Sequence, residues 1–410
     1  MKNCFVAQSG GPTAAINASL AGVIKGVLEH SDFDRIYGSL NGITGILEER
    51  YLDLTDIFNK EETLNLLKRT PAMYLGSCRF KLPKPENDPS PYQFIFQKFE
   101  ELNIGAFFYI GGNDSMDTVD KLSAYAASIG SDIRVIGIPK TIDNDLYITD
   151  HTPGFGSAAK YVASSILEIS HDTLIYHVKS VTIVEIMGRD AGWLTAASAL
   201  ARNEYSTAPH LIYLPERAFD TEVFLSDVSR LLQERNNVII AVSEGIRDKD
   251  GNYISASAGP ADNFGHSQLS GAGKALEYLV QERLHVKVRS VEVNILQRCG
   301  GHIASLTDLD ESFEEGRFGV TLAGKGETGK MITISRTSNT PYTVSYGAAA
   351  IAEIANKVKN VPEKYINAEG NDITSDMITY LKPLIQGEPT VTFKDGLPVY
   401  LPSAMSSTNP

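Results

Sequence analysis

The sequence predicts an α/β fold in which helices cover both faces of parallel sheets. Short apolar runs rich in β-forming residues alternate along the chain with segments that carry apolar residues at helical spacing. The runs are continuously apolar, which is typical of parallel strands buried on both faces. The chain has 410 residues, more than one hydrophobic core usually holds, so we expect two domains.

The first half of the chain contains four predicted strands and two predicted helices. The strands are "CFVAQ", "RIYGS", "GAFFYI" and "IRVIGI", and the helices are "TAAINASLAGVIKGVLEH" and "MDTVDKLSAYAASIG". Three of these strands run directly into glycine or into a polar loop. In a parallel sheet the ligand lies beyond the carboxyl ends of the strands, so these loops are the first candidates for a functional site.

The second half repeats this alternation, and we place the domain boundary near Asp150. The predicted strands are "SVTIVEI", "HLIYLPE", "NVIIAVSEG" and "VRSVEVNIL", and the helices are "AGWLTAASALA", "TEVFLSDVSRLLQER" and "GAGKALEYLVQERLH". From about Pro341 we expect two further helices and then a hairpin in "TVTFKDGLPVYL", where Asp-Gly separates two β-type runs. No chemical role follows from this tail.

The net charge, the cysteines and the hydropathy of the chain exclude several classes of protein. The net charge of −13 argues against binding to nucleic acid or to anionic membranes, because the overall negative charge of the protein would repel both. Any anion must instead bind in a local pocket of Arg, Lys and helix N-termini. Cys4, Cys78 and Cys299 lack metal-binding spacing, so we expect reduced thiols in a cytoplasmic protein. Neither a signal peptide nor a run long enough to span a membrane is present in the sequence.

Three glycine-bearing loops follow predicted strands: "QSGGPTAAIN", "IGGNDS" and "EIMGRDAG". Glycine lets backbone N–H groups approach a phosphate closely, and a following helix N-terminus adds favourable partial charge. Each loop alone also fits a tight turn, but three at strand ends favour an anion site. None matches G-x-x-x-x-G-K-[ST] or G-x-G-x-x-G, which argues against a Walker-type nucleotide site and a dinucleotide-linked oxidoreductase.

The loop "PKTIDND" places acidic and basic side chains just past a buried strand. Phosphoryl transfer to a hydroxyl needs a carboxylate to accept the proton and cations to hold the donor. Asp143 is the candidate base, Lys140 the candidate cation, and a metal ion would share the same loop. The alternative is an Asx-turn followed by a solvated acidic loop.

Positive charge for an anion site would come from arginines beside glycines and strand ends. Arg is the side chain that best clamps a phosphate in two-point contact. The candidates are Arg79, Arg189, Arg289 and Arg298, although each one singly also fits a surface ion pair. Glu244, at another strand end, could accept hydrogen bonds from sugar hydroxyls or pair with one of these arginines.

Together these motifs resemble the phosphofructokinase family. "SGGPTAAIN", "GSCRF", "GGNDS", "PKTIDND", "EIMGRDAGW", "SEG" and "QRCGG" occur in the family's order and span Ser9 to Gly301. The resemblance implies two Rossmann-like domains, the phosphofructokinase fold, with the active site in the cleft between them. It implies Mg²⁺-dependent, reversible phosphoryl transfer to the 1-hydroxyl of fructose 6-phosphate, in glycolysis and gluconeogenesis, by a homodimer or homotetramer.

The resemblance also assigns regions and residues. Residues 1–150 with about 299–340 would form the phosphoryl-donor domain, 151–298 the sugar-phosphate domain, and 341–410 a C-terminal extension. Asp143 resembles the general base. Donor-phosphate contacts would be Gly11, Arg79, Gly112 and Ser115. Sugar-phosphate contacts would be Thr141, Asp145, Met187, Gly188, Arg189, Glu244 and Arg298, with Arg289 reaching the 6-phosphate of a neighbouring subunit. The metal ligands would be Asn113 and Asp114.

Three positions bear on the donor. Members of the family that use ATP usually carry Gly where this chain has Asp114 and Lys140, whereas members that use pyrophosphate carry Asp and Lys. A carboxylate at position 114 would occupy the place of the α-phosphate of ATP and repel it, and Lys140 would supply a cation for pyrophosphate. Ile43 replaces a tyrosine that lines the adenosine pocket. The sequence therefore predicts pyrophosphate as donor.

Other positions depart from the family pattern and keep alternatives open. Asn113 stands where a metal-binding Asp is common, and Asn is a weaker Mg²⁺ ligand. Ile295 stands where His or Tyr often contacts the sugar phosphate, and Ser180, after Lys179, stands where a neighbouring subunit's Arg is common. Sedoheptulose 7-phosphate is thus a second possible acceptor. The alternatives to the prediction are an ATP-dependent phosphofructokinase and a catalytically silent, sugar-phosphate-binding regulatory subunit.

Overall fold

The computed structural model describes residues 1–255, 257–261 and 267–407. Its first part contains five strands and six helices up to the loop "PKTIDND". In chain order they are β1 (Lys2–Gln8), α1 (Ile16–Glu29), β2 (Phe33–Ser39), α2 (Ile43–Leu47), β3 (Tyr51–Asp53), α3 (Leu54–Ile57), α4 (Glu61–Arg69), α5 (Ser90–Glu101), β4 (Ile104–Gly111), α6 (Asn113–Ser128) and β5 (Arg134–Pro139).

The remaining elements begin after this loop. In chain order they are α7 (Phe155–Thr173), β6 (Ser180–Ile186), α8 (Trp193–Ala197), β7 (Leu211–Tyr213), α9 (Thr221–Glu234), β8 (Asn237–Ser243), β9 (Ser257–Ala261), β10 (Ser267–Ser270), α10 (Ala272–Leu284), β11 (Lys287–Glu292), α11 (Leu296–Cys299), α12 (Leu306–Gly324), β12 (Lys330–Asn339), β13 (Tyr342–Ala350), α13 (Ser375–Leu381), β14 (Phe393–Lys394) and β15 (Leu397–Pro398).

A seven-stranded sheet with the order β13-β12-β5-β4-β1-β2-β3 contains the strands of the first part of the chain. From β12 to β2 all neighbours are parallel. Alternate side chains enter two separate cores, as strand geometry requires: Val6 packs with α1 and α12, whereas Ala7 packs with α5 and α6. The carboxyl ends of β1, β4 and β5 therefore lie side by side.

A second, four-stranded sheet has the order β11-β6-β8-β7 and is entirely parallel. One face packs against α7 and α8, and the other packs against α9 and α10. One sheet with a parallel centre and antiparallel edge strands, and one entirely parallel sheet, are each covered on both faces and confirm the predicted α/β fold. Here the carboxyl ends of β6 and β8 are neighbours, which brings together the loops that follow them.

The prediction of two helices after Pro341 is wrong. The segment begins with β13, which pairs antiparallel with β12 and forms the edge of the large sheet; only one short α-helix, α13, follows in the described part. The Ala-rich end of this segment favours a helix locally, but pairing with β12 decides the outcome. The predicted hairpin is present as β14 and β15, and Asp395 and Gly396 have the positive φ values of 51° and 83° that a tight hairpin turn requires.

The described residues contain no helix both long and apolar enough to cross a membrane. The three cysteines all carry free thiols, with Cys4 buried and Cys299 exposed.

Candidate active site

The loops after β1, β4 and β5 are tied together through Lys140. Its backbone N–H donates to the carbonyl oxygen of Gly111 at 3.0 Å, and its Nζ donates to that of Gly11 at 2.7 Å. Gly10 has a φ of 83°, and a Cβ there would lie 2.9 Å from the Lys140 Nζ. The positive φ therefore favours glycine at this point of the first loop, where the chain passes close to the ammonium group.

Lys140 is an unusually placed cation because its side chain is only 2 % exposed. Burial lowers the pKa of Lys140 to about 8, although the carboxylates of Asp143 and Asp145 favour the charged form. A buried ammonium group next to two glycine loops attracts an anion strongly, because little water screens its charge.

Asp143 lies in a turn held by Thr141, whose Oγ1 accepts a hydrogen bond from the Asp143 N–H at 3.1 Å. Burial raises the pKa of Asp143, against the opposing charges of Lys140 and Arg189. Burial and repulsion from Asp143 also raise the pKa of Asp145, to about 7. Two carboxylates this close resist ionising together, so this pair can accept a proton near neutral pH.

The loops after β6 and β8 form the facing wall. The Gly188 N–H donates to Glu244 Oε1 at 3.3 Å, and Ser243 Oγ donates to the Gly188 carbonyl oxygen at 2.6 Å. The Met187 N–H donates to Gln297 Oε1 at 3.4 Å. Burial and the charge of Asp143 raise the pKa of Glu244 to about 7. This influence of Asp143 shows that the two walls lie close together.

Two half-buried arginines contribute positive charge to the same space. A guanidinium nitrogen of Arg298 lies 3.3 Å from where a Cβ on Gly11 would be, and its charge also lowers the pKa of Lys140. Within the described part of the chain, the buried Nε atoms of Arg189 and Arg298 have no hydrogen-bond partner. In that same part, Arg217, Arg235 and Arg247 also have a buried Nε without a partner. What suits Arg189 and Arg298 to an anionic ligand is therefore their position, near Asp143 and beside Gly11 respectively. Arg298, predicted as a sugar-phosphate contact, thus also lies beside the predicted donor loop.

Other predicted residues lie outside this cluster or have structural partners. Arg79 is exposed, and Arg289, on the edge strand β11, pairs with Asp172 at 3.3 Å. Ile295 is 55 % exposed. Ser180 donates to Asn237 Oδ1 at 2.7 Å within the sheet. The Ile43 side chain is fully buried in the core, so it offers no surface to an adenine ring.

The start of α6 carries the predicted metal ligands. Asn113 Nδ2 donates to the Lys357 carbonyl oxygen at 3.0 Å, while its buried Oδ1 has no partner among the described residues. Asp114 is exposed in the first turn of α6, and Ser115 is buried beside Gly111. No group of three His, Cys, Asp or Glu side chains in the described chain could hold a metal ion. Mg²⁺ commonly takes one or two protein ligands plus phosphate oxygens, so this set fits a metal shared with a substrate.

Sequence reasoning missed the residues behind the "PKTIDND" loop. Lys359 Nζ donates to Asn144 Oδ1 at 3.0 Å, and Tyr380 hydroxyl accepts from Asn144 Nδ2 at 2.9 Å. Both residues belong to the tail, more than 200 positions from the loop. No local pattern in the tail points to these contacts.

The phosphofructokinase family profile matches residues 3–308. The chain belongs to the phosphofructokinase family. Two relatives named pyrophosphate–fructose 6-phosphate 1-phosphotransferase are each 41 % identical to it: one from Methylococcus capsulatus, covering 98 % of this chain and 95 % of the relative, and one from Halomonas elongata, covering 97 % and 94 %.

Comparison with a solved structure shows that the fold, too, is that of a phosphofructokinase. The crystal structure of a pyrophosphate-dependent phosphofructokinase from Nitrosospira multiformis superimposes on this phosphofructokinase with a TM-score of 0.87 at 38 % identity, covering 98 % of this chain and 96 % of the other. The similarity includes the tail after residue 308, which the family profile does not match.

Proposed function

We propose that this phosphofructokinase transfers a phosphoryl group from pyrophosphate to the 1-hydroxyl of fructose 6-phosphate, giving fructose 1,6-bisphosphate and phosphate. The observation that carries the proposal is the Lys140 ammonium, buried beneath the first glycine loop and bonded to Gly11. Its charge favours a compact, highly charged donor. The names of relatives 41 % identical over nearly the whole chain support the same donor and acceptor.

The donor phosphates would bind between the glycine loops. Gly11, Gly112 and Ser115 offer close backbone approach and the N-terminus of α6, and Lys140 supplies charge. Arg298 lies beside Gly11, and Arg79 completes the predicted donor set. By the family resemblance, Asp114 would occupy the place of the α-phosphate of ATP, which would favour pyrophosphate over ATP.

Asp143 is the proposed general base. As the bond to phosphorus forms, the acceptor hydroxyl loses its proton, and a positioned carboxylate takes it. The raised pKa of Asp143 brings it nearer to the pH at which a base accepts a proton effectively. The positive charges of Lys140 and Arg189 oppose the effect of burial and favour the ionised form of the carboxylate.

The sugar phosphate would bind on the opposite wall. Thr141 and Asp145 flank the base, and the β6 and β8 loops contribute Met187, Gly188, Arg189 and Glu244. A raised pKa lets Glu244 donate or accept a hydrogen bond with a sugar hydroxyl near neutral pH. Arg289 pairs with Asp172 at an exposed sheet edge, a position from which it could serve the site of a neighbouring subunit. We propose a homodimer or homotetramer, as the family resemblance implies, and a cytoplasmic location, which the free thiols of the three cysteines support.

Mg²⁺ is the proposed metal, with Asn113 Oδ1 and Asp114 as its ligands from the protein. It would neutralise charge on the donor phosphates. The proposed donor domain comprises residues 1–150 and about 299–340, and the proposed sugar-phosphate domain comprises 151–298. The strands of the proposed donor domain belong to the seven-stranded sheet, which β13 extends beyond residue 340. In the proposed sugar-phosphate domain, β6, β7, β8 and β11 form the four-stranded sheet, and β9 and β10 pair with each other in a separate two-stranded sheet.

The test is turnover of the purified protein with fructose 6-phosphate, Mg²⁺ and either pyrophosphate or ATP. We expect turnover with pyrophosphate and little with ATP. Robust turnover with ATP alone would instead support the ATP-dependent alternative. Binding of fructose 6-phosphate by calorimetry without turnover on either donor would support a silent regulatory subunit. A parallel assay with sedoheptulose 7-phosphate measures how selective the acceptor site is.

A further inference from the structure

A short segment of the tail, residues 357–361, contacts three loops of the proposed active site. We refer to it as the strap. It lies beyond residue 308, where the family profile ends, and it follows β13 and precedes α13. None of its residues carries a sequence motif. Its contacts are therefore visible only in three dimensions.

The strap bonds to the first two loops through its backbone. The Lys357 carbonyl oxygen accepts the hydrogen bond from Asn113 Nδ2 at 3.0 Å, at the start of α6. The Lys359 N–H donates to the Asp145 carbonyl oxygen at 2.7 Å, in the loop that carries the proposed base. The strap thus fixes the spacing between the donor loop and the base loop.

The Lys359 side chain bonds to the base loop at three points. Its Nζ donates to Asn144 Oδ1 at 3.0 Å, to the Thr149 carbonyl oxygen at 3.0 Å and to the Asp150 carbonyl oxygen at 2.9 Å. An ammonium group has three N–H donors, and here all three go to one loop. Asn144, next to Asp143, has a φ of 53°, a left-handed conformation that needs such support.

Tyr380 completes this arrangement from α13. Its hydroxyl accepts from Asn144 Nδ2 at 2.9 Å and donates to the Asp150 carbonyl oxygen at 2.7 Å. Lys359 and Tyr380 therefore hold the same residues of the loop from two sides. Within the described chain, neither side chain hydrogen-bonds to Asp143 itself, so any effect on the base must pass through Asn144 and the loop backbone.

The third loop is the one that follows β6. Trp193 Nε1 donates to the Lys359 carbonyl oxygen at 2.7 Å. Glu216 Oε1 accepts from both the Val361 N–H at 2.9 Å and the Gly192 N–H at 2.8 Å. The strap therefore also reaches the wall on which the sugar phosphate is proposed to bind.

We propose that Lys359 is a positioning residue for phosphoryl transfer, and that the strap holds the base loop in register with the donor loop and the sugar-phosphate wall. This rests on the proposed function. Misplacing a reacting group by about 1 Å can cost about 100-fold in rate. In the described part of the chain, the Lys359 side chain hydrogen-bonds to no residue proposed to bind a substrate. Its backbone N–H, which bonds to Asp145, is kept when the side chain is replaced, so loss of the ammonium group should affect kcat much more than either KM.

The experiment compares the parent enzyme with Lys359→Met, which keeps the side-chain length but removes the three donors. We expect kcat to fall about 10- to 100-fold, with both KM values within about threefold of the parent. The matched control is Lys364→Met. Each lysine lies over an aromatic ring, Lys359 at 5.2 Å from the Trp193 ring and Lys364 at 4.8 Å from the Tyr365 ring, but Lys364 is exposed, and we expect parental activity.

Tyr380→Phe is the second variant, because it keeps the ring and its packing while it removes the hydroxyl. It should show the same fall in kcat without a change in KM, and it decides the question if Lys359→Met does not fold. Folded variants with parental kcat, or with losses only in proportion to the folded fraction, would overturn the proposal. All of these assays use the phosphoryl donor, pyrophosphate or ATP, on which the parent enzyme is active. An active parent with unaffected variants refutes only the strap, whereas a parent inactive with both donors refutes the proposed function and the strap together.

Discussion

The Nζ of Lys140 lies 2.7 Å from the carbonyl oxygen of Gly11. This bond joins the end of β5 to the glycine loop after β1 across the intervening strand β4. It places a buried positive charge under a loop that a phosphate can approach closely. The proposed choice of donor depends on this arrangement.

The first prediction concerns the proposed base. Asp143→Asn keeps the shape of the side chain but cannot accept a proton, so kcat should fall by about 10²- to 10⁴-fold. The KM values should stay near those of the parent, because the amide still fits the site. Steady-state kinetics on both substrates checks this, and a variant with near-parental kcat would exclude Asp143 as the base.

The second prediction concerns Arg298, which lies beside Gly11 and Lys140. Arg298→Ala should raise the KM of the sugar phosphate, as the family resemblance implies, and also the KM of pyrophosphate, as the structure implies. A phosphate clamp contributes binding in the ground state and the transition state alike. Arg283→Ala is the control, since Arg283 is exposed and pairs with Glu222. An unchanged KM for both substrates would place Arg298 outside the phosphate sites.

The third prediction is a pH dependence. Burial lowers the pKa of Lys140 to about 8, so the ammonium is charged below this pH and loses its proton as the pH rises through it. In the parent, kcat/KM for pyrophosphate should therefore fall above about pH 8. Lys140→Met should be less active at all pH values and should lack this decline. The same decline in the variant would assign it to pyrophosphate itself or to another group.

The fourth prediction concerns stability rather than activity. Burial alone would lower the pKa of His151, but the carboxylates of Glu311 and Asp150, at 2.6 and 2.8 Å from its ring nitrogens, raise it to about 9. A raised pKa means that the charged ring stabilises the fold fully below about pH 6.5, and that this contribution is lost as the pH rises through about 9.

The difference corresponds to about 3 kcal/mol as an upper estimate. His151→Gln should therefore be less stable than the parent at pH 6 by up to this amount, and the gap should narrow towards pH 9.5. Chemical denaturation at the two pH values measures both. A gap that does not change with pH would mean that folding does not raise the pKa of His151.

Much of the fold could be predicted because its signals are local. Continuous apolar runs marked the parallel strands, and the glycine loops marked their carboxyl ends. Strand β13 was not predictable in this way, since its Gly- and Ala-rich sequence becomes a strand only by pairing with β12. The short strand β3 and the helices α4 and α5 were not predicted, although α4 carries its apolar residues on one face.

The residues of the candidate site also fall into two groups, those with a local sequence signal and those without one. Lys140, Asp143 and the glycine loops could be found because they immediately follow strands. Lys359 could not, because its bond with Asn144 joins residues 215 positions apart. Long-range contacts of this kind depend on how the tail folds back over the loops, and a single sequence carries no signal for that.

We propose that Asp114 and Lys140 together make pyrophosphate, and not ATP, the phosphoryl donor. Two like unit charges about 4 Å apart at an effective dielectric constant near 20 repel by roughly 4 kcal/mol, enough for Asp114 to disfavour the α-phosphate of ATP. Asp114→Gly should permit weak use of ATP, and adding Lys140→Gly should improve it. Pyrophosphate activity should fall in both variants. ATP use should stay modest, because the buried Ile43 offers no ring for adenine to stack on.

The most direct measurement is the ratio of kcat/KM for pyrophosphate to kcat/KM for ATP in the parent, in Asp114→Gly and in the double variant. We expect the ratio of kcat/KM for pyrophosphate to kcat/KM for ATP to be far above one in the parent and to fall with each substitution. Full pyrophosphate activity in Asp114→Gly with no gain in ATP binding would contradict this expectation, and Asp114 would then be only a residue in the first turn of α6.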